Sequence, residues 1–226
     1  VIEVRELTKN YSIDGQVLKA ADNVSFTVND GEMVSVIGHS GSGKTTLLSL
    51  IGGLTRPDAG RVLINGVDLW SMGDDGMCEF RNKKISFIYQ FSSLIPTLTA
   101  LENILLPTAF GNYGADFIGY AKELLTVVGL QEKMGSYPSH LSGGQQRRVA
   151  IARAFINKPE IVLADEPTGD LDEETENEVL GLFHKMNKEN NMTFVIVTHN
   201  KDIAAQAGKH FKMSSGILTE LTNSAT

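Results

Sequence analysis

Runs of apolar residues along the chain change character three times, and the changes sketch its organisation. The first part is β-rich: Ile2 to Leu7, Val17 to Val28 and Arg61 to Asp68 predict antiparallel strands, with Asn65-Gly66 as a hairpin turn signal in the last. Interleaved with these is a different pattern, of short fully apolar runs followed by helical ones. Met33 to Ile37 reads as a buried strand, Lys44 to Leu54 as an apolar helix and Ile85 to Tyr89 as another strand. The middle is helical. Ala100 to Phe110 and Ala115 to Val128 carry apolar residues at mixed spacings of three and four, and Gln145 to Ile156 places Val149, Ala152, Phe155 and Ile156 on one face. The strand–helix alternation then returns. Glu160 to Glu166 and Thr193 to Thr198 predict strands. Between them lies a helix capped by Asp172, with acids in its first turn and Val179, Leu182, Phe183 and Met186 as its apolar face. Pro138, Pro159 and Pro167 mark boundaries, and the tail from Thr222 to Thr226 is polar and expected to be loose. No internal repeat, low-complexity run or coiled-coil stretch interrupts this order.

Two helix starts in this pattern are anion sites. Gly38-His39-Ser40-Gly41-Ser42-Gly43-Lys44-Thr45-Thr46 fits the phosphate-loop pattern G-x-x-x-x-G-K-[ST], between a predicted strand and a predicted helix. The glycines let backbone N–H groups wrap phosphates, Lys44 reaches the terminal ones, and the Thr45 hydroxyl suits magnesium. His39 occupies a variable position of the pattern, so its backbone matters more than its ring. The second start is Leu141-Ser142-Gly143-Gly144-Gln145, where Ser142 is a good N-cap and two glycines follow it. Its free N–H groups and positive dipole end also attract an anion. Two phosphate-seeking starts in one chain suggest a nucleotide held between two surfaces.

Chemistry at a terminal phosphate needs a second metal anchor and a group that orients water. The run Ile161 to Ala164 ends in adjacent carboxylates. Ligands of open parallel sheets sit outside the carboxyl ends of the strands, so Asp165 is placed for magnesium, directly or through water. Glu166, pointing differently, is placed to act as general base. His199 ends the next strand, where an imidazole can hydrogen-bond the terminal phosphate and sense its presence. The other four histidines lack such a position.

These motifs together resemble those of the ATP-binding cassette (ABC) family, specifically the nucleotide-binding subunit of its transporters, over about Val1 to Leu221. Gly38 to Thr46 resembles the Walker A loop, Ile161 to Glu166 the Walker B strand, Leu141 to Gln145 the signature motif and His199 the switch histidine. The resemblance makes Gln90 the Q-loop glutamine, a magnesium ligand and a contact to a membrane partner. It makes Asp165 to Asp172 the D-loop region, with Asp172 crossing a dimer interface. It makes Tyr11 the aromatic that stacks on adenine; read alone, Tyr11 is an ordinary core or surface aromatic. Asp170 departs from the family's small or amide residue, and its charge is expected to slow dimer closure. Gln90-Phe91, Leu94 to Ile104 and Glu166-Pro167-Thr168-Gly169 are similar to the group serving lipoprotein release and macrolide or peptide export.

The resemblance implies an α/β P-loop core with an N-terminal antiparallel β part and an inserted helical subdomain at about 91–157, the core being 1–90 and 158–221 of a single domain. It implies ATP and Mg²⁺ as ligands, ATP hydrolysis, and an ATP-dependent homodimer. There, Lys44, Thr45, Gln90, Asp165, Glu166 and His199 of one copy face Ser142 and Gly144 of the other. It also implies an integral membrane permease as partner, and a place on the cytoplasmic face of the membrane. A docking groove is expected near Gln90, with Phe91, Leu94, Ile95 and Leu98 as its apolar side chains.

Composition agrees. At 226 residues, 42% hydrophobic and 21% charged, the chain suits one globular domain. No apolar run approaches the roughly 18–20 residues that span a bilayer and the start shows no signal-peptide pattern, so any channel must be another polypeptide. A net charge of −7 argues against nucleic acid as a partner. Cys78 is the only cysteine, which excludes an internal disulfide and fits a buried or idle thiol in a reducing cytosol. A P-loop kinase or GTPase has no use for Leu141 to Gln145, and a repair ATPase of the cassette type needs a long coiled coil. A cytosolic cassette ATPase serving a non-transport assembly, such as cell division or cluster biogenesis, remains the alternative.

Overall fold

A computed structural model describes residues 1–13, 15–111, 117–169 and 171–221. Its two sheets divide the labour that the sequence pattern suggests. The antiparallel sheet holds strands β1 (Ile2–Ile13), β2 (Gln16–Val28), β4 (Ala59–Ile64) and β5 (Val67–Asp68) in the order β2-β1-β4-β5. The second sheet has six strands in the order β10-β9-β3-β8-β7-β6. Here β3 is Met33–Ile37, β6 Ile85–Ile88, β7 Ile161–Asp165, β8 Thr193–Thr198, β9 Lys209–Ser214 and β10 Ile217–Leu221. From β9 to β6 all neighbours are parallel; only β10 runs back against β9.

The six-stranded sheet separates two hydrophobic cores, because alternate side chains of a strand face opposite sides. Val162, Ala164, Phe194 and Ile196 point to a helical side, where they meet Ile104, Leu125, Phe155 and Phe183. Val34, Val36, Leu163, Val195 and Val197 point the other way, against Leu47, Leu50 and the antiparallel sheet. The apolar runs without alternation in β7 and β8 are strands buried on both faces, as their continuous burial shows.

Seven α-helices connect the strands among the described residues: α1 (Lys44–Ile51), α2 (Asp74–Lys84), α3 (Ala100–Leu105), α4 (Phe117–Val127), α5 (Gly143–Phe155), α6 (Glu173–Asn190) and α7 (Lys201–Ala205). Several boundaries differ from the sequence expectation. The helix expected to reach Leu54 stops at Ile51, because Gly52-Gly53 turns the chain and Gly53 is left-handed. At Gly52, a Cβ would come within 2.0 Å of the Phe87 ring, so the chain can pass the sheet there only without a side chain. The helix expected over Ala100 to Phe110 breaks at Leu105 and continues as a 3₁₀ turn through Phe110, since Pro107 cannot donate to the ladder. The first strand runs well past Leu7, to Ile13, still paired with β2. Arg61 to Asp68 is a hairpin, with Asn65 and Gly66 both at positive φ in its turn. Cys78 is exposed on α2, not buried. The starts of two expected segments, Ala115 and the tail from Thr222, lie outside the described residues.

Candidate functional site

The parallel strands end along one rim, and the loop 38–43 leaves β3 there to enter α1. Gly43 sits at the N-cap of α1 with φ 107°, and no side chain caps the helix. A Cβ at Gly43 would lie 2.0 Å from the Ala20 carbonyl oxygen, so the loop can pass β2 only as glycine. The Lys44 side chain, 8% exposed, curls back and donates to the carbonyls of Gly38 at 2.7 Å and His39 at 3.1 Å. The Ser42 hydroxyl is buried, with no hydrogen-bond acceptor or donor among the described residues. An uncapped helix start, a lysine parked on loop carbonyls and an orphan hydroxyl are what a loop looks like when its natural counter-group is an anion.

Two carboxylates come to the same rim from β7. The Thr45 hydroxyl donates to Asp165 Oδ2 at 2.7 Å. Burial pushes the Asp165 carboxyl above the ordinary aspartate range; the hydrogen bond from Thr45 opposes this and the adjacent Glu166 adds to it. A divalent cation at this spot would take the place of that hydrogen bond, bound by the Thr45 hydroxyl oxygen and neutralising the carboxylate, so the Thr45–Asp165 pair fits a hard, oxygen-seeking metal. Glu166 follows with φ 45°, a left-handed turn at a non-glycine residue. The two carboxylates engage different partners. Oε2 accepts from the buried Thr198 hydroxyl at 2.9 Å, and Oε1 lies 2.9 Å from His199 Nδ1. The Thr198 oxygen in turn accepts from the Asn200 amide at 3.0 Å. Thr198 had no signal in the sequence beyond its place before His199.

A cleft of about 420 Å³ unites these groups. Lys44, Thr45, Thr46, Asp165, Glu166 and His199 line it, together with Ser40, Gly41, Gly43 and Gln90. Its far wall is Tyr11, Leu18 and Ala20, on the long β1–β2 ladder. Tyr11 reaches the site because β1 continues past Leu7, with the Lys9 ammonium 5.8 Å from its ring centre. Gly38 and Ser42 lie beneath the lining, inside the loop itself.

The residues of the other helix start do not line this cleft. Ser142 caps α5: its Oγ accepts from the Gln145 amide at 3.2 Å, while Gln145 Oε1 accepts from the Ser142 amide at 2.9 Å. So the serine hydroxyl is already engaged, and the groups the helix presents outward are the amides of Gly143 and Gly144. Leu141 is buried, anchoring the motif in the helical core. Asp172 caps α6, with Oδ1 accepting from the Thr175 amide at 3.0 Å and Oδ2 from its hydroxyl at 2.9 Å. Asp170 lies outside the described residues.

The expected docking side chains separate into two groups. Phe91 is 72% exposed and Ile95 41% exposed. Leu94 and Leu98 are half-buried, and Leu94 packs against the helical core. A charge at Leu94 would therefore unsettle the fold, and Phe91 is the cleaner probe.

These features define a nucleotide-hydrolysing cassette, and comparison with known proteins places it. The description "ABC transporter" matches residues 21–169, well over half of the chain. The chain belongs to the ABC transporter family, as one of its ATP-binding cassettes. It is 42% identical, over 97% of its length and 94% of the relative's, to the lipoprotein-releasing system ATP-binding protein LolD 2 of Chlorobium chlorochromatii (strain CaD3). Among solved structures it is similar to the ATP-binding cassette MJ0796, dimeric in a post-hydrolysis state with ADP and Pi. That match has a TM-score of 0.92 and 38% identity, covering 99% of this chain and 100% of the other. A second dimeric structure of MJ0796, described as a bacterial ABC transporter cassette, superposes with a TM-score of 0.90 at the same identity and coverage. The activity of the class is ATP hydrolysis coupled to transport.

Proposed function

We propose that two copies of this chain close head to tail around two ATP molecules and that hydrolysis reopens them, driving a membrane permease. The observation that carries this reading is the separation of the two anion-seeking helix starts. One sits inside the cleft with both carboxylates; the other lies outside it and needs a second copy to meet a nucleotide. The MJ0796 cassettes are dimers, which supports the same arrangement.

In each site the adenine stacks on Tyr11 and the phosphates enter the loop from Gly38 to Thr46. Lys44 leaves the carbonyls of Gly38 and His39 for the terminal phosphates. Thr45 and Asp165, with Gln90, would hold Mg²⁺, which supplies charge neutralisation at the phosphates. Glu166 accepts a proton from the attacking water, held in position by Thr198 and His199, and ATP and water become ADP and phosphate. The amides of Gly143 and Gly144 and the cap at Ser142 complete the site from the second copy, flanked by Leu141 and Gln145. Asp172 meets the partner near the two-fold axis.

The single domain divides into a core of 1–90 and 158–221 and a helical subdomain of about 91–157. The exposed Phe91 and Ile95 form the contact to an integral membrane permease, placing the chain on the inner face of the cell membrane. The likeness to a lipoprotein-releasing ATPase supports mechanical work of that kind on a lipid-anchored or similar cargo.

Light scattering of Glu166→Gln tests the reading. With the base removed and the shape kept, MgATP is expected to convert the monomer to a stable dimer retaining two uncleaved nucleotides. A variant that stays monomeric in saturating MgATP overturns it.

A further inference from the structure

Helix α5 carries, one turn beyond its capped start, an arginine that no step above uses. Arg147 is 6% exposed. Its guanidinium donates to carbonyls of two separate loops: Nη1 to Tyr89, Nε to Pro167 at 2.8 Å, and Nη2 to Glu166 at 2.5 Å. Tyr89 immediately precedes Gln90, and Glu166 is the residue whose carboxylate faces the cleft. So one side chain joins the helix beginning at Ser142 to both loops that contact the terminal-phosphate end.

Geometry makes the joint selective. A guanidinium holds its donors in one plane at fixed angles, and a hydrogen bond weakens steeply once bent or stretched. Three carbonyls from two loops meet it together in only one relative placement of those loops. At Glu166 the backbone is left-handed, and such a conformation persists only where neighbours over-determine it. The Glu166 amide donates to Val197 at 2.9 Å, and Arg147 fixes the carbonyl side of the same residue. Two turns on, Arg153 of the same helix donates to the carbonyls of Ser92 at 2.9 Å and Ser93 at 3.0 Å. Helix α5 thus grips the chain on both sides of Gln90 and Phe91 and leaves those two residues exposed between the anchors.

We propose that Arg147 is a positioning residue that couples the contents of the nucleotide cleft to the orientation of the Ser142–Gln145 helix start, through the backbones flanking Gln90 and Glu166. The inference rests on the reading of the cleft as an ATP site completed by a second copy. A nucleotide that shifts either loop must then carry α5 with it, and an α5 out of place cannot hold Glu166 in line.

The test uses Arg147→Lys, which keeps the charge but cannot span both loops, and Arg147→Gln. Fluorescence titration of a labelled ATP analogue on the monomer is expected to give a Kd within about threefold of the parent, with kcat lower by roughly 100-fold, the scale of an ångström-sized misplacement. In the Glu166→Gln background, Arg147→Lys is expected to stay monomeric at MgATP concentrations that dimerise Glu166→Gln alone. Turnover and dimerisation within twofold of the parent overturn the coupling. So does a rise of Kd and a fall of melting temperature in step with the loss of kcat, or failure of both variants to fold, because each marks Arg147 as merely structural. If Glu166→Gln alone fails to dimerise, the reading of the cleft is at fault and the coupling falls with it.

Discussion

Helices α1 and α5 both begin with glycines and both point open N–H groups outward, yet they are finished differently. The start of α1 has a left-handed glycine at its cap and no side chain bonded to its amides. The start of α5 has a complete reciprocal cap between Ser142 and Gln145. The α1 start has amides that no side chain satisfies, and its lysine donates to the loop's own carbonyls. A capped start is satisfied in the single chain and has only spare amides to offer. On the proposed reading the difference implies an order, with nucleotide binding first at α1 and meeting α5 of a second copy afterwards.

Lys44→Ala attacks the first half of that order and carries the largest expected effect. Losing charge-assisted bonds at the phosphates should cost about 3 kcal/mol, or roughly 10²-fold in ATP affinity, with turnover falling as well. Isothermal titration calorimetry reads it, and near-parental binding would separate the loop from the nucleotide. Thr198→Val comes next. It removes the hydroxyl that holds Glu166 Oε2, so kcat is expected to drop about 10-fold or more while ATP affinity stays near parental. A matching loss in both would make Thr198 a packing residue. Ser142→Ala probes the other half. The isolated chain should lose about 1 kcal/mol of stability, some 2–4 °C in melting temperature, with unchanged ATP affinity in the monomer. Weakened monomer binding would break the comparison, since it would put α5 at the chain's own cleft.

The smallest effect concerns α6, a third helix start that is capped but offers no glycines. Hydrogen bonds from the Thr175 amide and hydroxyl hold the Asp172 carboxyl below its ordinary value. Because the folded-state value is depressed, the stabilisation exists above the unfolded value and disappears as pH falls through the folded one, below about pH 4. Asp172→Asn should flatten that part of the stability curve in denaturant titrations at stepped pH. An unchanged curve would mean the cap does not form in solution.

The candidate site residues lie in local motifs, and the structure brings Lys44, Thr45, Asp165, Glu166 and His199 to one cleft. Phosphate-loop spacing, the Asp165-Glu166 pair and the Leu141–Gln145 motif are local patterns, and local patterns survive without tertiary knowledge. Strands β7 and β8 were equally plain, since burial on both faces forces continuous apolar runs. Helix α2 leaves little trace in the sequence because only Met77 of its eleven residues is buried, giving almost no periodic face. The β9–β10 hairpin hides in a mixed stretch where only Phe211 and Met213 of β9 turn inward. Pro107 divides the helix expected over Ala100 to Phe110, an effect local enough to follow from the sequence. Nothing local could show that Thr198 holds Glu166 or that Leu94 packs inward, for both depend on partners distant in the chain.

The position of β3 in its sheet has a consequence for how a ribosome makes this protein. Its two hydrogen-bonding neighbours, β8 and β9, are synthesised more than 150 residues after it. Until those neighbours are made, the strand that launches the phosphate loop has two bare edges and two apolar faces. Such a chain folds late and through long-range closure, and in the interval its exposed strand invites pairing with other nascent chains. Shielding of the nascent chain between the synthesis of β3 and that of β9 should therefore matter more for yield than any single stabilising substitution. Pulse-proteolysis of stalled nascent chains would show β3 becoming protected only once Ser214 has emerged.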